Sequence, residues 1–153
     1  MRITEFLKLE AVIPQLTART KTEVIAELAA CVAKTVPTVA APRILEVLNE
    51  REKVGSTGME KGVAIPHGRL PELQQLVACF AVSKEGVDFE ARDNKPSHFF
   101  FALVAPEHSA GVQLKALSKV SRLFRSDSLR DAILAAPTAD AIYALISQED
   151  GKA

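Results

Sequence analysis

The sequence has 153 residues, with 19 Lys and Arg against 19 Asp and Glu, so its formal net charge is zero. This length suits one domain, and 48% hydrophobic with 25% charged residues is typical of a globular protein. The balanced charge excludes a generic nucleic-acid binder, because non-specific affinity for phosphate backbones needs an excess of Lys and Arg. Any anion is therefore expected to bind at one local site.

The sequence also predicts where the protein resides. Its first residues carry scattered charges and no apolar signal segment. The longest apolar runs, Leu76–Val82 and Phe99–Ala105, have about seven residues each, whereas a membrane span needs about 20. Cys31 and Cys79 lie in apolar stretches, which predicts buried, reduced thiols. We expect a cytoplasmic protein that does not insert into a membrane.

Two helices are predicted in the first third of the chain. Thr20–Glu23 has the pattern of a capping box, and apolar residues at helical spacing follow it until Pro37 ends the helix. Pro42 suits the first turn of a second helix, which runs towards Glu52.

Strands are predicted in the middle of the chain. The apolar runs Leu76–Ser83 and His98–Pro106 are typical of strands buried on both sides. Between them, Gly86 indicates a turn, Val87–Phe89 a short strand and Asp93–Pro96 a second turn. Upstream, Val63–Ile65 indicates another short strand, which Pro66 ends.

Three further helices are predicted at about Val112–Phe124, Asp127–Ala136 and Thr138–Gln148. Strands in the middle with helices at both ends predict an α/β fold, a single domain whose sheet is covered by helices on both faces in α/β/α layers. We place this domain at residues 1–148 and a C-terminal tail at 149–153.

The segment from residue 55 to residue 70, GSTGMEKGVAIPHGRL, carries the chemistry. It holds four of the 7 glycines, which allow backbone N–H groups to converge on an anion. It lacks the Gly-Lys-Ser/Thr of a Walker A loop. His67 follows the short strand, with Gly68 beside it and Arg51 and Arg69 nearby in sequence. An imidazole with one free nitrogen can accept a phosphoryl group whose oxygens are stabilised by cations. The alternative is a histidine that only caps a loop.

The stretch REKVGSTGMEKGVAIPHGRL resembles the signature of enzyme IIA domains of the bacterial phosphotransferase system, in the fructose–mannitol class and particularly its nitrogen-regulatory branch. TKTEVIAELAACVAK, FEARDNKPSHFFFALVAPE and LKALSKVSRLFRSD also follow the order and spacing of that family, so the resemblance covers nearly the whole chain. It implies one domain with a mixed sheet between helices. It further implies that His67 takes a phosphoryl group from the histidine-phosphocarrier protein HPr or its nitrogen-branch paralogue, with Arg51 close to the imidazole.

We therefore predict a phosphocarrier in which His67 is the acceptor and Arg51 stabilises the phosphoryl group. The remaining candidates form a phosphate-binding loop, composed of Gly55, Ser56, Thr57, Gly58, Gly68 and Arg69. No metal or cofactor is expected, because donor and acceptor are both protein side chains. Two roles remain open. The free-standing domain favours a regulator in nitrogen metabolism that binds targets according to its phosphorylation state; the alternative is a sugar-specific enzyme IIA that passes phosphate to an enzyme IIB.

One position departs from the family pattern. The family often has a second active-site histidine early in the helix after the last long strand, and this sequence has Gln113 there. Glutamine can form hydrogen bonds but cannot carry a positive charge. His108, a few residues upstream, either substitutes for that histidine or is exposed on a loop. His98 is predicted to be structural or exposed, and three histidines so far apart make a poor zinc site.

A last pattern is the series Lys115, Lys119, Arg122 and Arg125, which recurs at helical spacing. It predicts a solvated helix face. If that face adjoined His67, it would instead guide an acidic partner.

Overall fold

The computed structural model describes residues 1–152. Its helices are α1 (Lys21–Thr35), α2 (Ala41–Val54), α3 (Ala110–Leu123), α4 (Asp127–Ala135) and α5 (Ala139–Gly151). Its strands are β1 (Val12–Ile13), β2 (Val63–Ala64), β3 (His67–Leu70), β4 (Val77–Val87) and β5 (Ser97–Pro106). Short 3-10 turns at Ile3–Glu5 and Leu9–Ala11 precede β1.

The five strands form one mixed sheet in the order β1-β4-β5-β2, with β3 also paired to β5. Strands β4 and β5 are antiparallel, and the other pairs are parallel. Along β5, β2 places Val63 opposite Phe99, and β3 places His67 opposite Leu103. Pro66 separates these two strands because proline has no N–H to donate to a ladder. His67 is therefore the first residue of a strand, where we expected it to follow one.

Both faces of the sheet are covered. Phe100 and Phe101 are consecutive in β5, so their side chains point to opposite faces, and both are fully buried. The ring of Phe101 packs against Phe124, just after α3, at 6.1 Å between centroids, and the ring of Phe100 packs against Phe89 at 5.3 Å. Helix α2 contacts β3 and helix α3 contacts β5. The predicted single-domain α/β fold with a mixed sheet between helices is confirmed.

The strand before the turn at 93–96 is longer than predicted. Strand β4 runs through Gly86 to Val87, and its register with β5 is irregular between Val82 and Val87. Gly86 has φ +86°, a conformation that glycine adopts readily, so it forms an irregularity within the strand and not a turn that ends it.

Helix α5 continues to Gly151, beyond the predicted end at Gln148, so residues 149–151 of the predicted tail are helical. The reason is Asp150, a buried carboxylate that accepts hydrogen bonds from Ile3 N at 2.7 Å and Arg2 Nε at 3.2 Å. It also pairs with Lys119 Nζ at 2.8 Å. Burial opposes ionisation of Asp150, but these bonds outweigh it and hold its pKa below the usual value. Residue 153 of that tail lies outside the described residues.

The start of α1 matches its predicted cap. Thr20 Oγ1 accepts a hydrogen bond from Glu23 N at 3.2 Å, and the Glu23 carboxylate accepts from Thr20 N at 3.2 Å. This cap fixes the position of the next residue, Lys21, which contacts the site described below.

The two cysteines are placed as predicted, since Cys31 in α1 and Cys79 in β4 are both buried free thiols. Burial raises the pKa of the Cys79 thiol. Within residues 1–152, no helix has the length and apolar content that crossing a membrane requires.

Candidate active site

A cleft of about 700 Å³ lies beside the first residue of β3, between the end of α2 and the C-terminal half of α3. Its polar lining consists of Arg51, Ser56, Thr57, His67, Arg92, Ser118, Ser121, Arg122 and Arg125. Its apolar lining consists of Met59, Ile65 and Leu117. The cleft therefore combines one imidazole with four guanidinium groups and several hydroxyl groups.

The imidazole of His67 is half-buried and held in one tautomer. Its Nδ1 lies 2.8 Å from the carbonyl oxygen of Ile65. A carbonyl oxygen can only accept, so Nδ1 carries the proton in this bond. In the neutral ring, the lone pair that can attack an electrophile is then on Nε2.

The surroundings of His67 favour its neutral form. Burial lowers the pKa of the imidazole, and the positive charge of Arg51 acts in the same direction. The bond to Ile65 and the carboxylate of Glu52 oppose this shift without cancelling it. The ring is therefore neutral, and hence nucleophilic, at neutral pH.

Arg51 lies in the last turn of α2. Its Nη1 donates a hydrogen bond to the carbonyl oxygen of Gly55 at 2.8 Å, which folds the side chain over the end of the helix and into the cleft. A guanidinium held in this way presents its other N–H groups to an anion at the cleft. The structure thus brings together His67 and Arg51, as the sequence predicts.

Glu52 fixes the loop that follows α2. Its side chain is only 6% exposed. Its carboxylate accepts hydrogen bonds from Thr57 N at 3.2 Å and from the Thr57 hydroxyl. It also pairs with Lys21 Nζ at 3.0 Å, and Lys21 lies 4.9 Å from the ring centroid of Phe89. The sequence pattern predicts no role for Glu52 or Lys21, because burial of a carboxylate depends on how α1 and α2 pack.

The loop at 55–58 is not a nest of free N–H groups. Gly55 N donates to Glu52 O at 3.2 Å, Thr57 N donates to the Glu52 carboxylate, and Gly58 N donates to Ser56 Oγ at 3.0 Å. The expectation that glycine N–H groups converge on an anion is therefore corrected, since acceptors within the protein occupy them. What the loop contributes to the cleft is the side chains of Ser56 and Thr57.

The two other predicted loop residues play different parts. A Cβ added to Gly68 would lie 2.2 Å from Val47 Cγ1, so glycine is what lets β3 approach α2 closely. Arg69 is exposed, and its Nη1 donates to Glu107 O at 3.4 Å. Among the described residues, those that line the cleft do not include Gly68 or Arg69.

Gln113 acts on the backbone beside His67. The side chain is buried, and its Nε2 donates a hydrogen bond to the carbonyl oxygen of Gly68 at 2.7 Å. The amide thus stabilises the strand segment that carries the imidazole. His108 is exposed, and His98 Nδ1 lies 2.9 Å from Ser83 O at a separate hollow.

Much of the cleft wall is not predictable from the sequence. Arg92 follows β4 in a segment whose only recognisable signal was the turn at 93–96. Arg122 and Arg125 were predicted on a solvated helix face, and the condition attached to that prediction is met, since both line the cleft with His67. Lys119, from the same series, turns away and pairs with Asp150.

The chain is similar to a known protein family and to proteins of known name. The family model described as "Phosphoenolpyruvate-dependent sugar phosphotransferase system, EIIA 2" matches residues 5–149. A nitrogen regulatory protein of Bradyrhizobium diazoefficiens is 37% identical over 147 residues, covering 96% of this chain and 95% of that protein. The fructose-specific EIIABC component of Bacillus subtilis is 33% identical over 150 residues, which are 98% of this chain but 24% of that protein.

A solved structure gives the same result. The nitrogen regulatory protein IIA-Ntr from Neisseria meningitidis superposes with a TM-score of 0.87 at 32% sequence identity, covering 94% of this chain and 98% of that one. The resemblance in sequence is thus matched along nearly the whole fold, and the chain is homologous to nitrogen regulatory proteins. We conclude that this chain belongs to the EIIA type 2 family of the phosphoenolpyruvate-dependent sugar phosphotransferase system.

Proposed function

We propose that His67 accepts a phosphoryl group on Nε2 from the phosphohistidine of an HPr-type carrier protein. The observation that carries this proposal is the bond from Nδ1 to Ile65 O at 2.8 Å, in a cleft lined by Arg51. It leaves the lone pair of Nε2 as the free nucleophile. Membership in the EIIA family supports the reaction class.

The transfer needs no proton movement at His67. As Nε2 forms its bond to phosphorus, the nitrogen–phosphorus bond of the donor breaks, and its electron pair returns to the donor imidazole. The proton on Nδ1 stays in its bond to Ile65 throughout. Because phosphoryl transfer depends mainly on positioning and electrostatic stabilisation, the protein's contribution is to hold the ring and to present positive charge.

We assign Arg51 to stabilising the phosphoryl oxygens. It is anchored to Gly55 O at 2.8 Å, so its guanidinium needs little reorganisation when the anion arrives. Ser56 and Thr57 also line the cleft, but their hydroxyl groups donate to Phe89 O at 2.7 Å and to the Glu52 carboxylate, so they hold the loop in place and leave the phosphoryl oxygens to Arg51. Gln113 is a positioning residue, since it touches the Gly68 carbonyl next to His67.

We further propose that this carrier acts as a regulator, with HPr or its nitrogen-branch paralogue as donor. The match to a nitrogen regulatory protein over 95% of that protein's length supports this role. The alternative, transfer onward to an enzyme IIB of a fructose or mannitol permease, is supported by the similarity to a fructose-specific EIIABC component. The two are separated by incubating the phosphorylated protein with a purified fructose-type IIB, since only the alternative predicts rapid loss of the phosphoryl group.

Labelling tests the acceptor directly. The parent protein, His67→Ala and His98→Ala are each incubated with a phosphorylated HPr-type carrier, and acid-labile phosphate on the protein is measured. We expect the parent and His98→Ala to be labelled alike and His67→Ala to remain unlabelled. Labelling of His67→Ala at the parent's rate would overturn the assignment.

A further inference from the structure

The ion pair between Lys21 and Glu52 has no part in the transfer as derived so far. Lys21 Nζ lies 3.0 Å from the Glu52 carboxylate, and the two side chains are only 18% and 6% exposed. Charges withdrawn from water in this way are screened less than charges on the surface. Neither residue is among the described residues that line the cleft. An effect of this pair on His67 therefore has to act through other groups or through the field of its charges.

Glu52 reaches the site in both ways. Its carboxylate accepts hydrogen bonds from Thr57 N at 3.2 Å and from the Thr57 hydroxyl, so it holds the loop whose Gly55 carbonyl anchors Arg51. Its charge also extends to the imidazole: burial is the largest influence on the pKa of His67, and of the two nearby charges Arg51 lowers that pKa whereas Glu52 raises it. The same negative charge would repel an incoming phosphoryl group.

Lys21 is the cation that compensates this charge. It is the first residue of α1, and its position is fixed by the capping box at Thr20. Its ammonium group also lies 3.0 Å from Glu90 Oε1, but that side chain is 74% exposed, so this second pair contributes little. Within residues 1–152, the pair with Lys21 is the only ion pair of Glu52. The carboxylate thus depends on Lys21 for its charge balance.

We propose that Lys21 is a positioning residue for phosphoryl transfer: it neutralises the Glu52 carboxylate that holds the loop, so that the charge of Arg51 faces the phosphoryl oxygens unopposed. This inference rests on the proposed function, since it concerns the same transfer to His67. Removing one partner of a buried ion pair leaves an uncompensated charge, whereas removing both partners does not. Loss of Lys21 alone is therefore more harmful than loss of both charges.

Three variants at this pair test the proposal. Lys21→Met keeps an apolar side chain but leaves Glu52 unpaired, so we expect kcat for transfer from a phosphorylated HPr-type carrier to fall at least about tenfold, with KM for the carrier unchanged. In Lys21→Met/Glu52→Gln, kcat should return to within about threefold of the parent, because the glutamine oxygen still accepts from Thr57 and carries no charge. Lys21→Arg, which keeps the charge, should retain most of the parent's rate.

Lys119 offers a matched control. Its side chain is also 18% exposed, and it pairs at 2.8 Å with Asp150, a carboxylate that is 1% exposed and lies outside the cleft. In urea unfolding we expect both Lys21→Met and Lys119→Met to lose stability, but only Lys21→Met to transfer more slowly. Slower transfer in both variants would mean that any broken ion pair slows the reaction, which contradicts the proposal. An unchanged kcat in Lys21→Met contradicts it as well.

The Glu52→Gln background provides a second comparison, which does not require Lys21→Met to fold with an unpaired carboxylate. If Lys21 acts only by neutralising Glu52, then adding Lys21→Met to Glu52→Gln should change kcat by less than about threefold. A tenfold loss in this background would show that Lys21 acts independently of Glu52, and the proposal would be wrong.

NMR titration of His67 distinguishes failure of this inference from failure of the proposed function. Lys21→Met should raise the pKa of the imidazole, because a positive charge is lost, and adding Glu52→Gln should lower it again. The four arginines of the cleft are the same in all variants, so the shift reports the Lys21–Glu52 pair. If these shifts occur but the carrier does not phosphorylate the parent, the proposed function fails and the compensation of Glu52 stands. If the parent is phosphorylated but the pKa of His67 does not respond to Lys21→Met, the compensation fails and the proposed function stands.

Discussion

Two histidines of this protein share the same local arrangement but differ in their surroundings. His67 Nδ1 lies 2.8 Å from Ile65 O, and His98 Nδ1 lies 2.9 Å from Ser83 O. Both rings are half-buried. Each therefore has Nδ1 bound to a backbone carbonyl and Nε2 left over, so tautomer alone does not distinguish an acceptor from a structural histidine.

The surroundings make the difference. The hollow at His98 is lined by side chains of both signs, those of Glu60, Lys61, Asp93 and Lys95. Its ring is also packed tightly, since a Cβ on Gly86 would lie 2.8 Å from His98 Cε1. The cleft at His67 is lined by arginines and hydroxyl groups, and its described lining residues include no carboxylate. An acceptor histidine thus needs a held tautomer, room for the phosphoryl group and positive charge together.

The largest effect on the rate of phosphoryl transfer is expected from removing the positive charge of Arg51. Arg51→Gln should lower the rate of transfer to His67 by about 100-fold, as loss of a preorganised donor does in other active sites. Lys61→Gln, beside His98, should leave the rate unchanged. Transfer rates from a phosphorylated HPr-type carrier, followed by rapid quenching, measure both. Equal rates for the two variants would remove Arg51 from the mechanism.

The next largest effect is expected from disturbing the close packing of Gly68, the residue after His67, against Val47. In Gly68→Ala the new Cβ would lie 2.2 Å from Val47 Cγ1, so we expect the free energy of unfolding to fall by about 1–3 kcal/mol. Gly55→Ala is the control, because nothing lies within 4 Å of its added Cβ. Urea unfolding measures both, and Val47→Ala should restore part of the stability of Gly68→Ala. If Gly68→Ala and Val47→Ala change the free energy of unfolding additively, the close approach of β3 to α2 is not the cause of the loss of stability in Gly68→Ala.

Gly86 is the glycine that packs beside His98, and its substitution extends the comparison between the two histidines. Gly86 has φ +86° and contacts the ring, so Gly86→Ala should also lower the free energy of unfolding. Below the unfolding transition, however, it should leave phosphoryl transfer unchanged, whereas Gly68→Ala displaces the strand that carries His67 and slows transfer. Equal transfer rates for both variants would mean that His67 tolerates movement of its strand.

A smaller effect is expected at Gln113. Gln113→Ala removes one hydrogen bond to the Gly68 carbonyl, a contribution of about 1 kcal/mol, so transfer should slow by less than about tenfold. The loss should therefore be smaller than that of Arg51→Gln, measured with the same donor. The reverse order would show that Gln113 contacts the phosphoryl group itself.

The smallest expected effect is a change in pH dependence. The carboxylate of Glu52 raises the pKa of His67, so Glu52→Gln should lower that pKa further. The folded-state pKa of His67 lies below the ordinary value, so folding favours the neutral ring. The neutral ring therefore contributes to the stability of the fold above pH 6.5, and this contribution is lost as the pH falls from 6.5 through the lowered pKa. NMR titration of the imidazole measures the change. An unchanged or raised pKa in Glu52→Gln would contradict the electrostatic role of Glu52.

The sequence predicts the positions of His67 and Arg51 better than those of the other residues that line the cleft. The capping box at Thr20, the Gly-rich segment and the strand start at His67 are encoded locally, so Arg51 and His67 can be placed together from pattern and resemblance. Arg92 and Arg122 cannot, because helical periodicity shows which face is polar but not which element that face meets. That depends on the packing of α3 against β5.

Two local predictions were also limited, because they depend on hydrogen-bond partners that side chains acquire only in the folded protein. Glycine content alone indicates free N–H groups at 55–58, but the Glu52 carboxylate and the Ser56 hydroxyl occupy those of Thr57 and Gly58. Likewise, Gln113 was aligned with an active-site histidine, and its amide instead holds the Gly68 carbonyl. Neither partner choice is visible in spacing or composition.

The central claim is that Nε2 of His67 becomes phosphorylated while Nδ1 keeps its bond to Ile65. The most direct measurement is NMR of the ¹⁵N-histidine-labelled protein after phosphorylation by an HPr-type carrier. We predict a nitrogen–phosphorus coupling at Nε2 of His67 alone, with the signals of His98 unchanged. A coupling at Nδ1 of His67, or at His98, would contradict the account.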